Sequence, residues 1–546
     1  MTKLAGLILA GAMVGSGSGA CAAADTVPRV GFSNLQNRRI EGPTSVVAKG
    51  AGAFEQLDVL VTVGVDGRVV EAEPADNHWR LDPAPALAAV RQWRFRPPRF
   101  DGKPVIAIGT VPISYGPPER AADASAPFPS APPADVEIML ARGPCFFGCP
   151  AYEVGIKGDG TVRFSTDDGA PGTKAGGRRP FLDHNVLLPG THVAHVDSAV
   201  VARLVEKFRA AHFFGLKPRY VAQVTDQATK SITFRAGKTS KQVVEYAGWA
   251  ADMPADALAL ERAVDDAAGT DRWVYGNVET AAELERDGID PHSQDAADLA
   301  TDAMLVAPGR DRNAQAGAMV AAMLDKGLPL DAMVDGGVTP DGSRAGLRRE
   351  GKLSLGAVLA YDAATAGDEP LFERLDRLGW TARMGPDRLD AALAAGAGCS
   401  PTIARALVHA GANPHVVGKG AALAAIRDGS GACRDADEAH VLDMARTLIA
   451  LGVPVDARDD LGWTALMGCG SPELARLLLA HGADPNALGT DGETAVLATD
   501  DDRVALVLLR AGANPRAKDK DGTLREHAIA DHMPATLAWL DAHGIK

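Results

Sequence analysis

Aromatic residues and long apolar runs are scarce in this chain of 546 residues. Aromatic side chains make up 5% of the sequence, whereas glycine and alanine are abundant. This composition favours helices packed through small side chains over the core of a large, aromatic-rich enzyme. Beyond residue 24, no stretch reaches the ~20 apolar residues that a membrane-spanning helix requires. We therefore expect the mature chain to lie wholly on one side of a membrane.

Positive charge is also in short supply. The chain has 56 Lys and Arg residues against 70 Asp and Glu residues, which gives a formal net charge of -14. Nucleic acids and anionic lipids bind concentrated positive surfaces, so this balance argues against nucleic acid as a partner. The length predicts three or four domains at ~150 residues each.

Standard catalytic and cofactor-binding motifs are absent from the sequence. The run Gly237-Lys238-Thr239 lacks the upstream glycine of a phosphate-binding loop. There is no H-E-x-x-H, G-x-S-x-G or C-x-x-C-H pattern either. We therefore expect a protein that is not an enzyme, with no catalytic, cofactor-binding or metal-binding residues.

Residues 1–24 have the pattern of a cleavable secretion signal. A lysine precedes a short apolar stretch at 4–14, and Ala22 and Ala24 form an A-x-A exit. This pattern predicts export to the periplasm. Cys21 follows three small residues, which supports an alternative in which the exported chain is lipid-anchored at that cysteine.

Residues 50–116 predict a first α+β domain. Valines alternate with other residues over 59–65, the period of a half-buried strand, and Asp66-Gly67 suits a tight hairpin turn. A short helix and a final alternating strand follow. Alternation around Trp93 and Phe95 is expected to place both aromatic side chains in the core. The predicted order is strand, strand, helix, strand.

Two runs in this domain, VDGRVVEAEP (65–74) and LDPAPALAAVRQWRFRPPRFDGKPV (81–105), resemble the C-terminal domain of TonB. The resemblance implies contact with an envelope protein, since that domain contacts outer-membrane receptors in the periplasm. The family has a membrane anchor and a long Pro/Lys-rich spacer before this domain, whereas a cleavable signal is expected here. We therefore expect a docking module that cannot transmit force. An accessory role in TonB-type transport is the alternative.

Residues 117–133 are rich in proline, alanine and serine, which predicts a linker. Residues 135–276 predict a second, hairpin-rich α+β domain. Asp159-Gly160 and Gly237-Lys238 are expected at the turns of two hairpins. A helix is expected over 197–211, capped by its first residue, an aspartate.

This second domain resembles an uncharacterised bacterial family of unknown function. The shared landmarks are the sequence Cys-Phe-Phe-Gly-Cys-Pro (145–150), an Asp-Gly-Thr hairpin, a Phe-Phe-x-Leu after the helix and a late tryptophan, Trp273. The resemblance implies no activity, because none is established for the family.

Cys145 and Cys149 are the most specific candidates for chemistry in the second domain. They are disulfide candidates that would close a small loop before a strand. A redox pair and half of a metal site are the alternatives, although a zinc site needs about four ligands and no second cysteine pair lies nearby. His192 and His195 are expected in a loop, without a matching ligand pattern. A redox or other enzymatic activity centred on this domain is therefore the alternative to a non-catalytic protein.

Residues 278–546 predict an all-α repeat domain. Glycines that follow apolar helical runs recur at intervals of 30 to 52 residues: Gly288, Gly327, Gly379, Gly411, Gly452, Gly482, Gly512 and Gly544. A glycine in this place closes a helix by adopting the left-handed conformation. The sequences Gly-Trp-Thr-Ala-Leu (462–466) and Gly-Glu-Thr-Ala-Val (492–496) each begin a further unit.

These features resemble ankyrin repeats, whose Thr-Pro-Leu motif here has alanine in place of proline. The match is regular from about Gly411, and wider intervals upstream indicate insertions. The resemblance implies a solenoid in which stacked helix pairs share one core and present a surface to a protein partner.

Three cysteines are expected between the first and second helices of their repeats: Cys399, Cys433 and Cys469. Equivalent positions in adjacent repeats are spatial neighbours. Cys399 and Cys433 are therefore disulfide candidates, provided that their α-carbons come within ~7 Å.

The whole pattern predicts a multidomain bacterial envelope protein with two α+β domains followed by an all-α ankyrin-repeat solenoid. Its expected function is non-catalytic protein binding through the repeat surface. The TonB-like module is expected to contact an envelope protein.

Overall fold

The computed structural model describes most of the chain from Val27 onward. The described residues are 27–32, 39–41, 45–47, 55–75, 82–116, 123, 125–145, 149–166, 186–222, 225–248, 251, 253–306, 310–336, 338–340, 347–349, 351–415, 423, 426, 433, 436–459, 462–490 and 492–546. The predicted signal peptide 1–24 and the lipidation candidate Cys21 lie outside the described residues. Within the described set, no helix combines the length and apolar character needed to cross a membrane.

The first domain is a sheet with one helix against it. Its elements are β1 (Arg29–Gly31), β2 (Arg39–Glu41), β3 (Ser45–Val47), β4 (Glu55–Val63), β5 (Val69–Pro74), α1 (Ala84–Val90), β6 (Arg94–Phe95), β7 (Arg99–Phe100), β8 (Lys103–Pro104) and β9 (Ile106–Gly116). The main sheet has the order β1-β9-β4-β5, and β3 also pairs with β9. Strand β4 is antiparallel to both neighbours, whereas β1 and β3 run parallel to β9.

The alternating residues of this domain pack as the sequence predicts. Val59 and Val61 are fully buried, and Trp93 and Phe95 belong to the same core. The predicted order of strand, strand, helix and strand is confirmed by β4, β5, α1 and β9. The sequence does not predict β1 to β3, because strands of three residues are too short to display a period. The sheet therefore includes strands that precede residue 50.

The second domain is a seven-stranded sheet packed against two helices. Its elements are β10 (Val136–Arg142), β11 (Tyr152–Lys157), β12 (Thr161–Ser165), β13 (Thr191–His195), α2 (Ser198–Ala210), β14 (Arg219–Val221), β15 (Thr229–Ala236), β16 (Thr239–Tyr246) and α3 (Ala255–Ala268). The strand order is β13-β12-β11-β10-β15-β16-β14. The Asp197 carboxylate accepts the Ala199 backbone amide at 2.7 Å, which confirms the predicted cap of α2.

Two details of the second domain differ from the sequence predictions. His192 and His195 lie on the edge strand β13 rather than in a loop, because β12 offers a free edge for pairing. Phe128, within the predicted linker, packs edge-on against Phe234 with 5.3 Å between ring centroids. Part of the proline-rich segment is therefore fixed to the domain instead of acting as a free spacer.

The third domain is a stack of helices. After α4 (Asp271–Val274), which lies within the predicted second domain, the helices of the stack are α5 (Thr280–Arg286), α6 (Gln294–Val306), α7 (Arg310–Asp325), α8 (Leu355–Ala366), α9 (Glu369–Arg377), α10 (Pro386–Ala394), α11 (Pro401–His409), α12 (Glu438–Ala450), α13 (Pro472–Ala480), α14 (Asp502–Arg510), α15 (Leu524–Ala530) and α16 (Pro534–Ala542). All the glycines predicted to close helices have positive φ angles, from 66° at Gly544 to 111° at Gly411. The predicted helix ends are therefore confirmed.

The sequence predicts an all-α repeat domain, and this prediction is wrong in one place. Between α7 and α8 lie two short antiparallel pairs, formed by β17 (Met333–Asp335) with β20 (Lys352–Ser354) and by β18 (Val338–Pro340) with β19 (Leu347–Arg349). They occupy the wide interval between Gly327 and Gly379, where an insertion was expected. The second and third domains also share one continuous hydrophobic core, in which Trp273 and Val274 lie near the predicted domain boundary.

The last repeats have long second helices and short first helices. The second helices are α13, α14 and α16. The first helix is reduced to a turn at 465–468 before α13 and at 495–497 before α14, whereas α15 is the first helix of the final pair. The last repeats therefore have two kinds of surface. One is formed by loops and short first helices, and the other, the second-helix side, is formed by the longer second helices.

Candidate interaction surfaces and the cysteine pairs

Hydrogen-bonded loops link the last repeats; we call residues 454–464, 484–494 and 514–523 the finger loops. The backbone amide of Asp484 donates to the Asp456 carboxylate at 3.1 Å. The backbone amide of Asn514 donates in the same way to the side-chain oxygen of Asn486 at 2.7 Å. Because each loop begins with a bond to the loop before it, the described parts of the three loops form one ordered surface.

Two large apolar side chains are exposed on or beside the finger loops. Leu488 in the middle loop is 57% exposed, and Ile529 on α15 is 60% exposed. A single exposed apolar residue is ordinary, but repeat proteins bind their partners through such loops and first helices. These two residues are therefore the natural places to probe a binding surface.

The second-helix side of the same repeats is covered by the first domain of the chain. The backbone amide of Gly31 on β1 donates to the Asp502 carboxylate at 2.8 Å. The ring of Phe32 is 1% exposed, and its centroid lies 4.2 Å from the Arg503 guanidinium carbon. Together with the neighbouring helices of the stack, these contacts bury every residue of α14 from Asp502 to Leu509.

A second contact lies at the turn between β7 and β8. The Asp101 carboxylate pairs with Arg476 of α13 and with Arg510 of α14, the latter at 2.7 Å. The centroid of the Phe100 ring lies 5.7 Å and 5.5 Å from the two guanidinium carbons. The Asp101 side chain is 40% exposed, so this contact lies at the rim of the interface and is partly screened by water.

Asp502 is the centre of the covered surface. Besides the amide of Gly31, its carboxylate accepts the backbone amides of Ala535 and Thr536 and the Thr536 hydroxyl, all at 2.6–2.8 Å. Burial raises the pKa of Asp502, and the hydrogen bonds lower it by a smaller amount. The carboxylate thus ties α14, α16 and β1 together at one point.

Arg503 is held in place by a buried ion pair. Its Nε donates to the Asp501 carboxylate at 2.9 Å, and the two side chains are 7% and 1% exposed. The Asp501 carboxylate also accepts the Arg503 backbone amide at 2.9 Å and so caps α14. The ion pair with Asp501 therefore holds the Arg503 guanidinium in place over the Phe32 ring.

Cys145 and Cys149 are joined by a disulfide just after β10, with their α-carbons 5.2 Å apart. Pro144, which directly precedes Cys145 in the chain, lines a cleft of about 320 Å³ at the ends of four adjacent strands. The cleft is lined by Ala141, Arg142, Gly143, Pro144, Ala151, Tyr152, Glu153, Ser165, Thr166, Thr229, Lys230 and Ser231.

A network of charged groups surrounds the two cations of the cleft. Arg142 pairs with Asp265 at 2.6 Å and with Glu261 at 3.3 Å. Lys230 pairs with Glu245 at 2.7 Å and with Glu261 at 2.9 Å. Burial raises the pKa of Glu261, against the lowering effect of Lys230. Because both cations are paired with carboxylates of this network, we interpret the network as support for the cleft floor rather than as an acid–base pair.

Cys399 and Cys433 form a second disulfide, with α-carbons 5.1 Å apart and so within the ~7 Å limit. Cys469 is a buried thiol whose sulfur donates to the Ser471 backbone oxygen at 3.3 Å. In the part of the chain that the structure describes, no three His, Cys, Asp or Glu residues are grouped to hold a metal ion.

Four residues of the covered surface were not predicted from the sequence: Asp502, Arg503, Gly31 and Phe32. An acidic residue at the start of a helix is the usual complement of its dipole, so Asp502 looked like an ordinary surface residue. One signal was present: residues 504–509 are apolar at every position, which fits a helix enclosed on all sides better than an amphipathic one.

Two stretches of the chain match known families. Residues 136–268 match a domain of unknown function, DUF6438, and residues 461–490 match the ankyrin repeat. No curated protein matches the chain. The first match runs from β10 to α3, and the second covers a short first helix and α13 together with parts of the finger loops on either side. The ankyrin match supports a role in binding a protein partner, and the TonB-like character of the first domain stays a prediction.

Proposed function

We propose that this protein is a non-catalytic scaffold of the periplasm that binds a protein partner through the finger loops and first helices of its last repeats. The TonB-like first domain supplies a second contact, with an envelope protein. The observation that carries the proposal is the contrast between the two sides of the repeats. The second-helix side is covered by the chain itself, whereas Leu488 and Ile529 are exposed beside the finger loops.

The partner surface is tested by placing charge on it. The full-length chain with Leu488→Asp and Ile529→Asp is compared with the wild type and with Leu378→Asp, whose leucine is 53% exposed just after α9. Each chain carries the same affinity tag and is used to capture cross-linked proteins from envelope extract. We expect the double variant to lose about tenfold or more of the captured partner, and the control to retain it. Equal capture by all three chains would refute the proposal.

The proposed location is tested on the protein made in its natural host. Cell fractionation should place it in the envelope, and mass spectrometry of its N-terminus should find either Asp25 or a lipidated Cys21. A cytoplasmic chain that retains residues 1–24 would exclude periplasmic scaffolding.

A redox role for the second domain is the other candidate, because the Cys145–Cys149 disulfide is half-buried and directly follows Pro144, which lines the cleft. The Cys399–Cys433 disulfide is an internal control, since both of its cysteines are buried. A redox role requires the first disulfide to exchange with a small dithiol within minutes while the second stays oxidised. Replacing Cys145 and Cys149 with Ser should then abolish a dithiol-dependent activity, whereas a structural role predicts only a lower melting temperature with partner binding retained.

A further inference from the structure

We propose that the second-helix side of the last repeats is a peptide-binding site that recognises an extended segment with a glycine followed by an aromatic residue. The site is formed by the start of α14 and the start of α16. Residues 29–32 of the same chain fill it in the structure, as Gly31 and Phe32 meet Asp502 and Arg503. A partner that carries the same pair of residues competes with the first domain for this site. The site is separate from the finger loops and does not depend on them.

Glycine is required because the site leaves no room for a side chain. A Cβ built on Gly31 would lie 2.8 Å from the Asp502 Cβ and 3.0 Å from the His532 carbonyl oxygen. Neither group can move easily, since the Asp502 carboxylate is held by three further hydrogen bonds from α16 and the His532 oxygen belongs to the backbone. Any other residue in this place forces the two surfaces apart.

The Asp502 carboxylate recognises the backbone of the bound segment through a hydrogen bond. Strand β1 is the edge of its sheet, and the Phe32 amide donates to the Ile108 carbonyl within that sheet at 2.7 Å. The Gly31 amide instead donates to Asp502. An extended segment alternates its amides between two sides in this way, so the carboxylate selects an extended backbone.

The Arg503 guanidinium recognises the aromatic residue through a cation–π contact. Its carbon lies 4.2 Å from the Phe32 ring centroid, and both groups are removed from water. A desolvated cation over an aromatic ring is attracted to the ring electrons, which an aliphatic side chain does not offer. The ion pair with Asp501 keeps the guanidinium in position, so the site is built before a segment arrives.

The first domain occupies the site as a tethered competitor. A segment of the same chain meets the site in an intramolecular step, so a free peptide has to compete with it and binds the wild-type chain weakly. Once the tethered segment is weakened, the same peptide binds readily. The first domain therefore blocks the peptide-binding site on α14 reversibly.

The test uses a fluorescent peptide of residues 27–32, VPRVGF, titrated by anisotropy against full-length chains. Gly31→Ala should free the site, because the added Cβ meets Asp502 while Phe32 keeps its place in the core of the first domain. We expect this variant to bind the peptide at least about tenfold more tightly than the wild type does. A control variant, Gly155→Ala, should behave like the wild type, since its added Cβ meets only the Met139 side chain at 3.7 Å.

Peptide variants then test the recognition itself. On the Gly31→Ala chain, a peptide with alanine in place of glycine should bind at least about tenfold more weakly. Adding Arg503→Ala to the chain should remove its preference for VPRVGF over the leucine peptide VPRVGL. Equal binding of the glycine and alanine peptides would overturn the proposal. Rapid deuterium exchange of the α14 amides shows that the helix is uncovered, and a chain that shows it without binding the peptide would overturn the proposal as well. If Gly31→Ala does not fold, the Phe32→Leu chain is titrated with the same peptides and the same outcomes apply.

Discussion

Helices α13 and α14 occupy equivalent places in adjacent repeats, yet α13 is partly exposed and α14 is enclosed. Both helices have nine residues. Glu473 in the first turn of α13 is exposed, whereas Arg503 at the equivalent place in α14 is 6% exposed. The repeat itself does not cause this difference. The first domain causes it, because β1 and the Asp101 turn lie against α14 at Asp502 and Arg510.

The comparison shows that a repeat position does not fix the role of the residue in it. The same place in the helix carries a solvated charge in one repeat and a buried, paired charge in the next. Charge at the start of α14 therefore contributes to stability and domain contact, and charge at the start of α13 contributes to solubility. Substitutions at the start of the two helices should therefore differ in their effect on stability.

Asp502→Ala should have the largest effect, because it leaves three buried donors and one partly buried donor without an acceptor. We expect a loss of about 4 kcal/mol in the free energy of unfolding, given ~1 kcal/mol or more for each buried group left unpaired. Urea denaturation measures the loss, and hydrogen exchange over α14 and α16 locates it. Pro472→Ala, at the equivalent place in α13, is the control. A loss below about 1 kcal/mol for Asp502→Ala would mean that this carboxylate does not join the helices.

Arg503→Ala should come next, with a loss of about 3 kcal/mol, because it leaves the buried Asp501 carboxylate without its ion-pair partner. The equivalent change in α13, Glu473→Ala, should stay within about 0.5 kcal/mol, as is usual for an exposed residue. Both variants are compared by the same urea titration. Similar losses for the two would show that the first domain does not enclose α14 in solution.

Asp101→Ala should have a smaller effect, of about 1 kcal/mol or less, because its carboxylate is 40% exposed. It removes a partner from Arg476 and from Arg510, so it loosens both helices from the first domain. The effect should shrink between about 0.05 M and 0.5 M salt, since exposed charges are screened. Asp66→Ala, which removes an exposed ion pair with Arg68 elsewhere in the domain, is the control. An effect that grows with salt would argue against a rim ion pair.

Asp502→Asn should reveal the smallest effect, a change of stability with pH. Burial raises the pKa of Asp502 above its ordinary value of 3.8, so the folded chain holds this proton more tightly than the unfolded chain does. The stability from this group is complete below pH 3.8 and is lost as the pH rises through the folded-state value. The stability advantage of the wild type over Asp502→Asn should therefore shrink as the pH rises above 3.8. Thermal melts at several pH values measure it, and a growing advantage would contradict the expected shift.

Local patterns predicted a large part of the fold. The alternating valines predicted β4, and Gly237-Lys238 predicted the turn between β15 and β16. These predictions hold because a strand period and a turn depend on neighbouring residues only. His192 and His195 were placed wrongly, because an edge strand forms only where a distant strand offers it hydrogen bonds.

The candidate sites were predicted less well than the fold. The cysteine spacing indicated the pairs Cys145–Cys149 and Cys399–Cys433, and the structure places both pairs at bonding distance. The ankyrin resemblance indicated a protein-binding surface, which the match at 461–490 supports. The cover over α14 had no counterpart in the sequence analysis, since it joins residues 471 positions apart in the chain.

The sequence by itself determined the elements and their repetition: the glycine-closed helices, the hairpins of the two α+β domains and the continuous apolar run 504–509. It did so because helix ends, turns and hydrophobic periods are set by residues within a few positions of one another. Only the tertiary structure decided that Asp502 and Arg503 are buried. Their burial depends on where the first domain comes to lie, and a contact between distant segments leaves little trace in the local pattern of either.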